Sequence, residues 1–234
     1  MHEKLISDVG KGPEVERNKR AVCLISGGLD SAVATAVAKS RGFDLYFLFV
    51  DYGQKTLERE RDCVAKLAEH YKPTEVRSLN MRWLKDIGQS ALFDPETPLN
   101  EGNFLLEYVP FRNTILLSAA TAWAEVLGAD AIFVGSSGGD HICPDNSPAF
   151  IRAFQEVAIQ GTLLKKDIKI EAPLMETDKR GTVILGEELG VPFELTWSCH
   201  NNTEAACGHC SNCVARRDAF DSFHTADPIP YQQM

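Results

Sequence analysis

Positive charge is in short supply: 24 lysines and arginines stand against 33 aspartates and glutamates, a formal net charge of -9. Nucleic-acid partners are held by clustered cations, so this deficit argues against a duplex or tRNA surface as the main binding face. No apolar run approaches the roughly 20 residues that a membrane-spanning helix requires. Internal repeats and low-complexity tracts are also missing, which sets aside solenoids and extended linkers. The glycines follow neither the Walker pattern, which ends in Gly-Lys-Ser/Thr, nor the dinucleotide fingerprint with three spaced glycines. Residues 1–20 are polar and charged and read as a surface extension without a signal-peptide apolar region. The expectation is a cytoplasmic enzyme.

What is present suits one generous core. The chain has 234 residues with 44% hydrophobic content, enough for one domain with a small appendage. Residues 21–25, 45–50, 74–79, 131–134 and 168–172 read as strands, several of them continuous apolar runs of the kind buried on both faces of a parallel sheet. Residues 31–40, 55–70, 112–127, 149–160 and 179–189 carry helical spacing. The helix over 112–127 is apolar on most of its surface and is expected to be largely buried, with Gly128 stopping it. Residues 89–108 are polar, contain Pro95 and Pro98, show no period, and read as a loop over a site. Alternating strands and helices predict an α/β fold, a doubly wound parallel sheet, over residues 21–196, followed by a small C-terminal metal module over 197–234. Ligands of such sheets sit at the carboxyl ends of the strands, where this chain places its unusual residues.

The most unusual stretch is Ser26-Gly27-Gly28-Leu29-Asp30-Ser31. A strand, a glycine turn and a helix in that order gather unpaired backbone N–H groups and the positive end of a helix dipole at one point, an anion cradle. Two glycines admit a phosphate close to the backbone and two serines add hydroxyl donors. The plainer alternative is a tight turn capped by Asp30 or Ser31. Asp30 is open to two roles, capping the helix or holding Mg²⁺. Arg112 and Lys179 each stand in the first turn of a helix, where a cation opposes the local dipole, so each is expected to face an anion or solvent.

Seven cysteines are present, four of them within positions 199–213. Cys199, Cys207, Cys210 and Cys213 are separated by seven, two and two residues, a spacing that predicts a tetrahedral thiolate site for Zn²⁺. Four thiolates leave no open position, so the metal is expected to be structural. His200 and His209 lie near enough to substitute but read as neighbours of the site. Cys23 and Cys63 read as packing residues.

The loop at 26–31 resembles the pyrophosphate loop of the ATP pyrophosphatase superfamily, whose members cleave ATP between the α and β phosphates and adenylate a carbonyl-type group. With the cysteine module, residues 21–220 are similar to the 7-cyano-7-deazaguanine synthase family. The segments that carry the likeness are 24–31, Asp51-Tyr52-Gly53-Gln54, Tyr108-Val109-Pro110-Phe111-Arg112-Asn113-Thr114, Gly128-Ala129-Asp130-Ala131, Gly190-Val191-Pro192 and Glu194-Leu195-Thr196-Trp197-Ser198-Cys199. The resemblance implies an adenine-nucleotide α-hydrolase-like fold, ATP, Mg²⁺ and Zn²⁺ as cofactors, and a homodimer. It implies that 7-carboxy-7-deazaguanine and ammonia are joined to an amide, which a second ATP dehydrates to the nitrile. It assigns Ser26, Gly27, Gly28, Leu29, Asp30 and Ser31 to the ATP phosphates and adds Asp51, Gln54, Arg112 and Asn113 to the nucleotide site. Lys179 is set at the α phosphate, with Asp30, Arg112 and Lys179 as the catalytic set. Tyr52, Phe111 and Trp197 are candidate stacking faces. The pattern departs from the family over residues 140–150, where Asn146, Ser147 and Ala149 replace a Cys, an Arg and a Glu. Asp140 and Asp145 are the substrate-loop candidates in that stretch. The departure keeps open a paralogue that stops at an amide or uses another amine such as a peptide terminus. A tRNA-modifying ATP pyrophosphatase shares the phosphate loop but lacks support from the charge balance.

Overall fold

Continuous apolar runs form strands here because both faces of the sheet are covered. The computed structural model describes residues 18–97, 99, 104–138, 143–163, 167–201, 203–222 and 224–232. The expected N-terminal extension lies outside the described residues up to position 17. Strands β1 (Arg20–Leu24), β2 (Asp44–Asp51), β3 (Glu75–Asn80), β4 (Ala131–Phe133) and β5 (Lys169–Glu171) pair in the order β3-β2-β1-β4-β5, every pairing parallel. Alternation divides β1, β2 and β4 between two cores. Ala21, Cys23, Phe47, Phe49 and Phe133 enter one, while Val22, Tyr46, Leu48, Val50 and Ile132 enter the other.

Helices α1 (Leu29–Ser40), α2 (Leu57–Tyr71), α7 (Lys179–Glu188) and α8 (Ser211–Ser222) cover the first face, and α5 (Arg112–Leu127) and α6 (Pro148–Gly161) cover the second. Two four-residue helices, α3 (Leu84–Ile87) and α4 (Phe104–Glu107), interrupt segments in which no helix was expected, and α8 adds one inside the cysteine module. Helix α5 is not largely buried: it buries Leu117, Ala120, Trp123 and Ala124, while Val126 is 82% exposed. Its apolar residues exceed the surface the sheet offers, so one stripe packs and the rest faces outward. Among the described residues no helix is long and apolar enough to cross a membrane.

Connections leave β1 toward β2 on one side and β4 toward β5 on the other. The carboxyl ends of β1 and β4 therefore border the topological switch point, the crevice where such sheets bind ligands. Helices differ at this end. Ser147 Oγ accepts from Phe150 N and Asp178 Oδ1 from Gly181 N, capping α6 and α7. Helix α1 starts at the crevice with Gly28 and no side-chain cap.

A buried cation joins α8 to the segment that precedes the cysteines. Arg216, 1% exposed, donates to Asp227 Oδ1 and Oδ2 at 2.9 and 2.8 Å, Thr196 Oγ1 at 2.8 Å, Ser198 Oγ at 3.2 Å and the Phe193 carbonyl at 3.1 Å. Tyr231 OH adds a 2.6 Å bond to Asp227. Arg216→Ala strands the Asp227 carboxylate in a buried site and is expected to cost about 3 to 5 kcal/mol in urea unfolding. The double variant Arg216→Met/Asp227→Leu should cost less than the single change. Equal stability of Arg216→Ala and wild type would refute this account.

Candidate functional site

The loop 26–31 follows β1 and can take its shape only with glycine at position 27. Gly27 has φ of 78°, and a Cβ there would stand 2.8 Å from the Glu60 carbonyl oxygen and 2.9 Å from Cys63 Cβ. Both the positive φ and the contact with α2 exclude a side chain. Ser26 and Ser31 hydroxyls lie 3.1 Å apart, and Ser31 Oγ donates to the Gly28 carbonyl at 2.9 Å. The loop after β4 presses on this turn: a Cβ on Gly135 would meet Ser31 N at 2.7 Å. Two strand ends thus fix one amide-lined cradle at the uncapped start of α1.

Asp30 does not cap that helix. Its Oδ2 accepts from Lys179 Nζ at 2.6 Å, and its Oδ1 is buried with no hydrogen-bond partner among the described residues. Lys179 opens α7 and is carried by Asp30 to the rim of the cradle, so the cation faces an anion, one of the two outcomes its position allowed. The unpartnered oxygen suits a cation delivered with a ligand, and Asp30 therefore fits Mg²⁺ better than the helix cap.

A cavity of about 700 Å³ runs from this cradle to the C-terminal module. Ser26, Gly28, Leu29, Asp30, Ser31, Ser136, Ser137 and Lys179 line the cradle end, and Leu24, Leu48, Val50, Leu116 and Val134 form an apolar middle. Tyr52, Glu60, Arg112, Glu107, His200, Ser211 and Asn212 supply polar groups. Arg112 Nη1 donates to Tyr52 OH at 3.2 Å with its guanidinium 5.2 Å from the ring centroid. Burial pushes the Tyr52 phenol up to about 12 against the pull of Arg112, keeping it neutral. Arg112 reaches the start of α5 through Phe111, which adopts φ of 59° after Pro110. Asn113 also lines the cavity.

Glu60, Glu107, Ser211 and Asn212 were not singled out by sequence. Glu60 Oε1 and Oε2 accept from Thr56 Oγ1 at 2.6 Å and Gln54 Nε2 at 2.7 Å, and burial raises its carboxyl above the usual range. Glu107 accepts from Ser211 Oγ at 2.8 Å and stands 3.3 Å from His200 Nδ1. Asn212 Nδ2 donates to His200 Nε2 at 2.6 Å, which leaves the Nδ1 proton on the side of Glu107. The only sequence signal for Glu60 was its four-residue spacing from Thr56 in the first turn of α2. Glu107 and His200 sit 93 positions apart and had none.

Several expected site residues are engaged elsewhere. Asp51 binds Arg82 at 2.9 Å and Arg61 at 3.1 Å, and Gly53 N donates to it. It does not line the cavity, because two guanidiniums draw its carboxylate to the outer side of the turn. Gln54 donates to the Val50 carbonyl and Glu60 and accepts from Tyr52 N, so it shapes the turn rather than meeting the cavity. Asp145 accepts from Thr114 N at 3.1 Å and lies 3.4 Å from Asn113 Nδ2, which makes it the cap that α5 lacks in its own sequence. Its neighbours Cys143 and Asn146 face the cavity instead. Asp140 lies outside the described residues. Among the stacking candidates, Tyr52 and Trp197 line the cavity, whereas Phe111 is 60% exposed and does not.

Cys199, Cys207, Cys210 and Cys213 bring four buried sulfurs within 4.8 Å of one another. A tetrahedral site with Zn–S near 2.3 Å has sulfur–sulfur edges of about 3.8 Å, and Cys207 and Cys213 are 3.9 Å apart. Backbone N–H groups of Asn201 and Cys207 point at Cys199 Sγ, and that of Cys210 at Cys207 Sγ, each at 3.4 Å. Amide donors aimed at sulfur favour thiolates, so this donor set fits zinc. His209 is no substitute ligand: its Nδ1 lies 2.8 Å from the Cys207 carbonyl.

The family model described as queuosine biosynthesis protein QueC matches residues 20–224. A protein of Methanospirillum hungatei named 7-cyano-7-deazaguanine synthase is 41% identical over 91% of this chain and 100% of its own length. Proteins of the same name from Methanoculleus marisnigri and Chlorobium phaeobacteroides are each 41% identical over 92% of this chain, and over 100% and 97% of their own lengths.

Proposed function

The chain belongs to the queuosine biosynthesis protein QueC family, and from that premise we propose how its cavity makes 7-cyano-7-deazaguanine. The enzyme is an ATP-dependent 7-cyano-7-deazaguanine synthase. In our reading the amides of 27–31 and the hydroxyls of Ser26 and Ser31 take the β and γ phosphates. These donors are fixed before ligand arrives, so no reorganisation is needed as charge moves onto pyrophosphate. Lys179, held by Asp30, neutralises the α phosphate while an oxygen of the deazaguanine carboxylate attacks it. Arg112 and Asn113 flank the adenylate. Mg²⁺ arriving with ATP would find Asp30 Oδ1 and would supply further charge neutralisation. Ammonia then displaces AMP to give the amide; the amide oxygen attacks the α phosphate of a second ATP with release of pyrophosphate, and loss of AMP and of both N–H protons leaves the nitrile. Zn²⁺ has no part in these steps and holds the module that forms one wall of the cavity. A homodimer remains part of the proposal, with light scattering as its check.

The observation that carries the reading is that one cavity joins an amide cradle and an Asp30–Lys179 pair to an apolar slot with polar groups at its far end, a shape for a nucleotide and a flat heterocycle together. Protein supplied with 7-carboxy-7-deazaguanine, ATP, Mg²⁺ and ammonium should give the nitrile by mass spectrometry and two pyrophosphates per nitrile. Accumulated amide with one pyrophosphate would instead identify the amide-forming paralogue and lay the difference to residues 140–150. No base-dependent pyrophosphate release would overturn the mechanism altogether.

A further inference from the structure

The proposed steps leave the carboxylate of Glu60, one of several charged groups lining the cavity, without a task. It is almost enclosed by protein yet reaches the cavity wall, and the Arg112 guanidinium is near enough to act on it. A triphosphate gains nothing from a carboxylate, so this position suits a neutral group that donates hydrogen bonds. Gln54 Nε2 and Thr56 Oγ1 each hold one of its oxygens, at 2.7 and 2.6 Å. That pair fixes the plane of the carboxylate and leaves lone pairs on both oxygens.

Base chemistry supplies a matching partner. A guanine-type ring presents an N1–H and a 2-amino group side by side, two donors that one carboxylate accepts together. An adenine ring presents a ring acceptor beside its amino group, and a carboxylate repels the acceptor. The cavity has to receive an adenine nucleotide and a deazaguanine at once, so it needs a group that tells them apart. The geometry points to Glu60 as the specificity-determining residue that reads the N1–H and 2-amino edge of the deazaguanine and keeps the adenine of ATP out of that end. This inference rests on the QueC reading of the cavity. Gln54 acquires a purpose from it: although it does not meet the cavity, it orients the acid that does.

Binding calorimetry on zinc-replete protein without ATP separates this claim from turnover. Wild type should bind 7-carboxy-7-deazaguanine roughly 10- to 100-fold more tightly than its 2-deamino analogue, the range for a charged hydrogen bond. Glu60→Gln should bind the two bases within about threefold of each other, and Glu60→Asp, which keeps a carboxylate, should restore part of the preference. Equal affinity of wild type for the two bases overturns the assignment, and this arm needs no variant that folds. An unchanged preference in Glu60→Gln also overturns it, as does a raised Mg²⁺ requirement for pyrophosphate release with base preference intact, which would mark a metal-binding carboxylate. A wild type that discriminates the bases but releases no pyrophosphate supports the edge reader and refutes the reaction.

Discussion

Lys179→Ala should lower deazaguanine-dependent pyrophosphate release roughly 10²- to 10³-fold, the scale on which one fixed charge-stabilising donor acts, while the fold survives. The variant does two harmful things at once. It removes the cation 2.6 Å from Asp30 Oδ2, and it exposes that carboxylate, uncompensated, beside the phosphate cradle. Stability should change little, because the two side chains remain 25% and 29% exposed and such pairs contribute only a little when solvent screens them. Asp30→Ala distinguishes two jobs. If Asp30 only positions Lys179, the double variant should be no slower than Lys179→Ala, since the pair acts as a unit. If Asp30 Oδ1 also meets Mg²⁺, Asp30→Ala should raise the Mg²⁺ concentration needed for half-maximal rate, and Lys179→Ala should not. Pyrophosphate release within threefold of wild type in Lys179→Ala would overturn the assignment of the α-phosphate cation.

The parallel sheet and the tight turn of the cradle were legible because they rest on local chemistry. Residues 45–50 had to be buried on both faces, and Ser26 to Ser31 had to turn tightly onto a helix. Asp51, Gln54 and Asp145 show where such reading stops. Asp51 and Gln54 stand in a matched segment and Asp145 in the departing one, and each is spent on local structure: Asp51 is held by Arg61 and Arg82, Gln54 by its own turn, and Asp145 by the start of α5. Which way a polar side chain turns is decided by partners 31 residues away for Arg82 and Asp51, and a linear string does not order those partners. The pairing of Asp30 with Lys179 spans 149 residues. Both residues were singled out, but for different reasons, and only the fold makes them one unit. Helix α5 misled for a simpler reason. Apolar content was read as burial, although the sheet has room for one stripe.

Removing zinc should lower stability and activity together. Zinc-replete protein should carry one metal per chain, and Cys210→Ser or prolonged chelation should lower the melting temperature by roughly 6 to 20 °C, taking a loss of about 3 to 5 kcal/mol at about 2 to 4 °C per kcal/mol for a chain of this size. Structural zinc binds with about 10 to 16 kcal/mol, comparable to the 5 to 15 kcal/mol that holds a typical domain, so even partial loss is felt. The four sulfurs belong to one apolar cluster with Ala91, Leu92, Leu99, Val109 and Trp197. Leu92 and Trp197 line the cavity, and Trp197 N donates to the Gly27 carbonyl at 2.9 Å. Loosening the cysteines therefore loosens a wall of the site and one anchor of the phosphate loop. Pyrophosphate release should fall with the loss of structure, followed by near-ultraviolet circular dichroism, and return when Zn²⁺ is restored. Cobalt substitution should recover the fold and show the visible absorption of tetrahedral thiolate ligation, which places the metal at these cysteines independently of activity. A metal-free protein that melts with the zinc-replete one would remove zinc from this account, leaving the cysteines as ordinary core residues.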